Sequence, residues 1–110
     1  MDVKVKVWLE DIANAIVEIE LFLPSPRLYD RFRQDLKTRR AVERNVEIIG
    51  EAMKRIISDS PNININSKRK IIDTRNRISH GYDSVSTEVM WSICIKHIPI
   101  LKKEINDLLK

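Results

Sequence analysis

Val42, Val46, Ile49, Met53 and Ile56 follow one another at steps of 4, 3, 4 and 3. An α-helix turns once every ~3.6 residues, so these five side chains fall on one stripe and the charged residues between them fall elsewhere. A strand would scatter the same five over both of its faces. The stripe predicts a helix over about Thr38–Ser58 with one buried side. The rule recurs on both flanks. Trp8, Ile12, Ala15, Ile16, Ile19, Phe22 and Leu23 predict a helix over about Val5–Leu23, stopped by Pro24-Ser25-Pro26, where neither proline has an amide hydrogen to donate. Met90, Cys94, Ile98, Leu101, Ile105 and Leu108 predict a last helix that starts near Ser86. Pro99 lies inside it and removes the bond to the Ile95 carbonyl, so a kink rather than an end is expected there.

Two more helices complete the pattern. A short one over Leu28–Gln34 is expected to carry Leu28, Phe32 and Leu36 toward the core. Another starts after a cap at Asn66 or Ser67, runs to about His80 and stops at Gly81. Residues 59–66, Asp-Ser-Pro-Asn-Ile-Asn-Ile-Asn, have the turn chemistry of a loop. Gly50 sits inside the third helix at some cost in propensity, and close approach of a neighbouring helix would explain it. Two glycines and two phenylalanines in 110 residues disfavour a strand-rich chain. The expected fold is all-α, a single domain over residues 1–110. Its architecture is an up-and-down four-helix bundle with one extra short helix.

Composition removes several function classes. No apolar run reaches the length of a membrane span, and the start, MDVKVKVWLEDI, lacks the apolar stretch of a signal peptide. One cysteine, Cys94, cannot build a disulfide framework, which makes the cytoplasm the expected compartment. The net charge of +4 is uneven. Residues 27–77 hold 14 Lys/Arg against 7 Asp/Glu, whereas the rest of the chain is net acidic. A phosphate-bearing partner would be drawn to the middle of the chain. Long helices also display such charges simply to water.

The segment Arg75-Asn76-Arg77-Ile78-Ser79-His80-Gly81-Tyr82 gathers chemistry at a helix end. Arginine offers phosphate oxygens a planar, permanently charged fork and can stabilise the extra negative charge of a phosphorane. Histidine titrates near neutrality and can move a proton from a ribose 2′-OH or to a leaving oxygen. Tyr82 can bond a phosphate or stack on a base. At about 100° per residue, Arg75 shares a face with Ser79, and Asn76 with His80, while Arg75 and His80 diverge. They converge on one phosphate only if the helix ends at Gly81 or if two copies of the chain face each other, so a homodimer is expected. The same residues are also what a solvated helix end carries: two surface arginines, a terminal histidine and a half-buried tyrosine.

Arg75-x4-His80-x-Tyr82 resembles the R-x4-6-H signature of HEPN domains in its HepT form, with Asn76 as the polar residue that HEPN domains favour after the arginine. The resemblance extends over nearly the whole chain. Lys37–Ala52, with its Glu-Ile-Ile-Gly-Glu-Ala block, is similar to the helix that precedes the motif. Asp73–Tyr82 is similar to the motif helix, and Trp91 with Ile98–Leu101 to the ending. It implies a HEPN-like homodimer and a metal-independent RNase toxin of a type II (HepT/MNT) toxin–antitoxin system. Arg75 and His80 would be catalytic, in a cleft between two subunits. The implied partner is an MNT-type nucleotidyltransferase antitoxin that transfers AMP onto Tyr82. The added phosphate and nucleoside would fill the RNA site and repel the substrate. A non-catalytic nucleotide- or RNA-binding helical module that partners a nucleotidyltransferase is the alternative. No cofactor and no metal are expected.

Around this centre, Arg77, Arg40 and Arg44 are candidates to line the RNA path with Asn76. Arg40 and Arg44 are also placed to pair with Glu43 and Glu47. Glu47 and Glu51 share a face of the third helix, but nothing in the sequence sets them beside His80, and they receive no role. Cys94 and His97 are three apart, too few for a metal centre, and are expected to pack in the core. Trp8 and Trp91 are expected to make core or dimer contacts.

Overall fold

The computed structural model describes residues 1–80 and 86–110, without the side chains of 79 and 80. Every regular element among the described residues is helical: α1 (Val3–Phe22), α2 (Tyr29–Gln34), α3 (Leu36–Asp59), α4 (Lys68–His80), α5 (Thr87–Ser92) and α6 (Ile98–Leu109), with a π-helical turn, Ile93–His97, joining the last two. α3 is the central element. It packs against α1, α2 and α4, and α1 in turn packs against α6.

The apolar stripes account for this arrangement. Val42, Val46, Ile49, Met53 and Ile56 of α3 are all fully buried. They meet Val5, Leu9, Ile12, Ile16 and Ile19 of α1, Ile71 of α4, and Met90, Ile93, Ile98, Leu101 and Ile105 in one continuous core. Each such side chain contributes about 1.5–3 kcal/mol by leaving water. Among the described residues, Asn45 and Thr74 are the polar residues buried in that interior, and each makes a local hydrogen bond. Asn45 Nδ2 donates to the Ala41 carbonyl at 3.0 Å, and Thr74 Oγ1 to the Lys70 carbonyl at 2.9 Å. Trp91, half-buried against the core, packs edge to face on Tyr29 and tilted on Phe32, with ring centres 6.0 and 5.2 Å apart.

Several boundaries move for identifiable reasons. α3 starts at Leu36, two residues earlier than expected, because Asp35 is its cap: one carboxylate oxygen accepts from Thr38 N at 3.1 Å and the other from Thr38 Oγ1 at 2.7 Å. Leu36 therefore stands at the helix entry and is 53% exposed, and Leu28, which caps α2, is 47% exposed. Only Phe32 of the expected trio reaches the core. Phe22, at the last turn of α1, is also exposed, and Leu23 takes the buried place. The end of α1 is held by Arg27, whose guanidinium donates to the Pro24 carbonyl at 2.9 Å and to that of Leu23 at 3.3 Å.

Pro99 does not end its helix. The adaptation is the π turn just ahead of it, where Ile98 N–H reaches back five residues to the Ile93 carbonyl. Widening the coil by one residue relieves the crowding a proline ring causes against the preceding turn. The loop between α3 and α4 is tied to the last helix by Asn66 N–H, which donates to Glu104 Oε2 at 2.9 Å, and Ile65 is buried beneath it. Cys94 is buried, which pushes its thiol up to about 12 and keeps it protonated. No helix among the described residues is long and apolar enough to cross a membrane.

Candidate nucleic-acid site

The centre of the site is the crossing of α3 and α4. A Cβ added to Gly50 would overlap the Cβ of Arg75, lie 2.6 Å from its Cγ and come within 3.3 Å of the Ile71 carbonyl oxygen. Only glycine lets the two helices approach so closely, as its place inside a helix suggested. The Arg75 stem lies in the space that glycine leaves. Its head is then fixed at both ends: Nη2 donates to Glu51 Oε2 at 2.5 Å, and Nη1 to Asn76 Oδ1 at 3.0 Å. The Nε of Arg75 is buried without a hydrogen-bond partner. The side chain is 17% exposed, so Arg75 is no free surface cation.

Glu51 is the neighbour of Arg75 that the sequence left without a role. One of its oxygens meets Arg75 and the other faces Arg55 at 3.7 Å. The hydrogen bond from Arg75 and then its charge hold the Glu51 carboxyl below the ordinary carboxylate range, so it is ionised at neutral pH. The available signal was its position next to Gly50: a residue beside a helical glycine at a close crossing sits at that crossing.

Glu51 also lines a groove of about 260 Å³ with Asp11, Arg44, Glu47, Ile48, Ala52 and Arg55. Arg44 thus opens onto the same groove as Glu51, the carboxylate that holds Arg75. Arg40 is committed elsewhere, to Glu43 at 2.9 Å, and is largely exposed. Arg77 is exposed on α4, and Asn76 is half-buried against Arg75. His80 is the last residue of α4; its imidazole and the whole of Tyr82 lie outside the described residues. Among the described residues no three His, Cys, Asp or Glu side chains cluster as metal ligands would.

Two carboxylates at structural positions give a pH prediction. Asp35 is lowered from 3.8 mainly by the Thr38 hydroxyl, and Glu51 from 4.5 mainly by Arg75. A lowered folded value means that the stabilisation is complete above the unfolded value and is lost as pH falls through the folded one. The urea midpoint is expected to decline on acidification between about pH 5 and pH 2, and Asp35→Asn to flatten part of that decline. An unfolding series at several pH values checks this; a midpoint constant over the range would refute it.

The family described as "Ribonuclease HepT-like" matches residues 12–108. The chain is 38% identical over 106 residues to "Probable ribonuclease HepT" of Thermococcus cleftensis, covering 96% of each chain. It is 31% identical over 110 residues to "Putative RNase MJ0127" of Methanocaldococcus jannaschii, covering 96% of this chain and 88% of that one. With "Putative RNase MJ1380" of the same organism it shares 32% over 108 residues, 92% of this chain and 93% of the other. No solved structure gives a significant match. A family match over almost every helix, joined to an arginine seated where the R-x4-H signature begins, has one consequence: the chain belongs to the HepT-like ribonuclease family.

Proposed function

We propose that this protein is a metal-independent RNase toxin of a type II (HepT/MNT) toxin–antitoxin system, working in the cytoplasm as a homodimer of up-and-down bundles. The observation that carries the reading is Arg75, fixed by Gly50, Glu51 and Asn76 at the α3–α4 crossing of a HepT-like ribonuclease. An arginine held this firmly is preorganised for a phosphate whose charge grows during reaction. His80, five residues further along α4, supplies a group that exchanges protons near neutral pH.

In the proposed reaction the ribose 2′-oxygen attacks the adjacent phosphorus and the bond from phosphorus to the 5′-oxygen breaks. The proton lost by the 2′-OH is matched by one gained at the leaving oxygen, so no outside reagent is consumed. Arg75 meets the non-bridging oxygens, and His80 serves the proton movement or the phosphate. A second copy of the chain supplies the facing Arg75 and His80. Arg44, Arg77 and Asn76 border the RNA path, with Arg40 further out.

The partner in this reading is an MNT-type nucleotidyltransferase. The Tyr82 oxygen attacks the α-phosphorus of ATP, pyrophosphate leaves, and the adenylate stays on the tyrosine, where its negative charge and bulk exclude RNA. The decisive experiment has two halves. Purified dimer with total RNA in EDTA is expected to cleave; salt-sensitive binding without cleavage would favour the non-catalytic binding module instead. Incubation with the nucleotidyltransferase and ATP is expected to raise the intact mass by one adenylate in wild type and not in Tyr82→Phe. An unmodified wild type, or equal modification of both, would overturn the regulatory half.

A further inference from the structure

We propose that Glu51 is the positioning residue of Arg75: its carboxylate sets where the guanidinium waits and in which orientation it meets phosphate. The inference rests on the RNase reading above, since it names how that site is built.

Three observations converge on it. Glu51 follows Gly50 directly, so one helical turn of α3 provides both halves of a seat: the glycine receives the stem of Arg75 and the glutamate receives its head. The grip on the head is two-sided, with Glu51 on Nη2 and Asn76 on Nη1, and the buried Nε stays unpaired; the remaining Nη hydrogens are the donors left for a ligand. The second oxygen of Glu51 faces Arg55 at 3.7 Å, and the side chain, 46% exposed, borders the groove that Arg44 also lines. A surface ion pair placed only for stability needs neither the glycine seat nor the second clamp.

The chemistry gives the pair a purpose. Guanidinium without a partner would bind any phosphate in many poses. Fixed by a carboxylate on one side, it presents a single edge, and the cost of ordering it is met before RNA arrives. The ion pair is formally neutral, so it attracts the resting phosphodiester weakly. Glu51 therefore acts on kcat rather than on capture of RNA.

The test is a double-mutant cycle on the dimeric full-length protein, using a mixed-sequence RNA oligomer that carries a fluorophore and a quencher. Glu51→Ala is expected to lower kcat about 100-fold without raising KM, the usual penalty for a misplaced group. Glu51→Gln keeps an acceptor oxygen for Arg75 and is expected to stay within about tenfold of wild type. In the Arg75→Ala background, Glu51→Ala is expected to change nothing more, because a positioning residue has nothing left to position. Wild-type kcat in a folded Glu51→Ala protein, or an equal loss with and without Arg75, would overturn the proposal. Should Glu51→Ala fail to fold, Glu51→Asp takes its place in the cycle: it keeps the charge, withdraws it by one methylene and should lose kcat while Glu51→Gln does not. If wild type cleaves nothing, the RNase reading fails on its own. The proposal is then decided by nitrogen NMR of the Arg75 guanidinium, where slow Nη rotation in wild type that becomes free in Glu51→Ala upholds it and equal rotation in the two ends it.

Discussion

Arg75→Ala and His80→Ala are each expected to abolish growth arrest on expression and to reduce RNA cleavage by at least about 100-fold, while the helical content stays that of wild type. For Arg75 the magnitude follows from the role: a preorganised donor aimed at developing charge contributes about 100- to 1,000-fold when measured by its removal. For His80 it follows from general acid–base catalysis, worth about 100- to 10,000-fold. For Arg75→Ala retention of the fold is expected because Arg75 is not part of the apolar core. The stripes of α1, α3 and α6 are untouched, and the Glu51 carboxylate left behind by Arg75→Ala is solvent-accessible, so water replaces its partner. Arg75→Lys sharpens the test. It keeps a positive charge on the Gly50 seat but loses the planar fork that spans Glu51 and Asn76 together, so most of the activity is expected to be lost with it. Folded and fully toxic Arg75→Ala and His80→Ala variants would remove both residues from the site.

The helices were legible in the sequence wherever a periodic apolar stripe was long. Every residue of the α3 stripe is buried, and the Met90-to-Ile105 series is buried as read. Legibility fell where one residue decides between entry and core. Leu28 and Leu36 look like core residues by type, but each stands at a helix start, where the chain turns outward. The π turn before Pro99 was legible only as a disturbance, because a sequence marks the missing bond and not the way a helix absorbs it. At the site the asymmetry is similar. Gly50 announced a close crossing, and the motif announced Arg75, yet nothing in the spacing joined Glu51 to Arg75 across 24 positions. That contact exists only once α4 lies on α3, and a pattern within one helix carries no information about the residue opposite.

Gly50→Ala is expected to destabilise the protein and to reduce cleavage together, although alanine is the better helix former. In an ordinary helix interior this substitution would stabilise by about 1 kcal/mol. Here the added methyl meets the Cβ and Cγ of Arg75 and the Ile71 carbonyl, which sit on or next to the α4 backbone and cannot swing aside as a side-chain tip would. Overpacking of this kind costs about 1–3 kcal/mol, so the clash outweighs the propensity gain, and α4 must shift away from α3. Set against the propensity gain this leaves a net loss of up to about 2 kcal/mol, which would lower the melting temperature by up to roughly 10 °C in a chain of this size. The same shift draws the Arg75 head away from Glu51, and a displacement near 1 Å can cost about 100-fold in rate. Two further variants separate the effects. Arg75→Ala should not rescue the stability of Gly50→Ala, because its Cβ is the atom in the way. Arg75→Gly should restore much of it, because that Cβ is gone, yet cleavage stays lost for want of the guanidinium. Denaturant melts of the four proteins, read beside their cleavage rates, decide the matter. A Gly50→Ala protein more stable than wild type would mean that the two helices do not meet through Gly50, and the seat on which Arg75 and Glu51 depend would not exist.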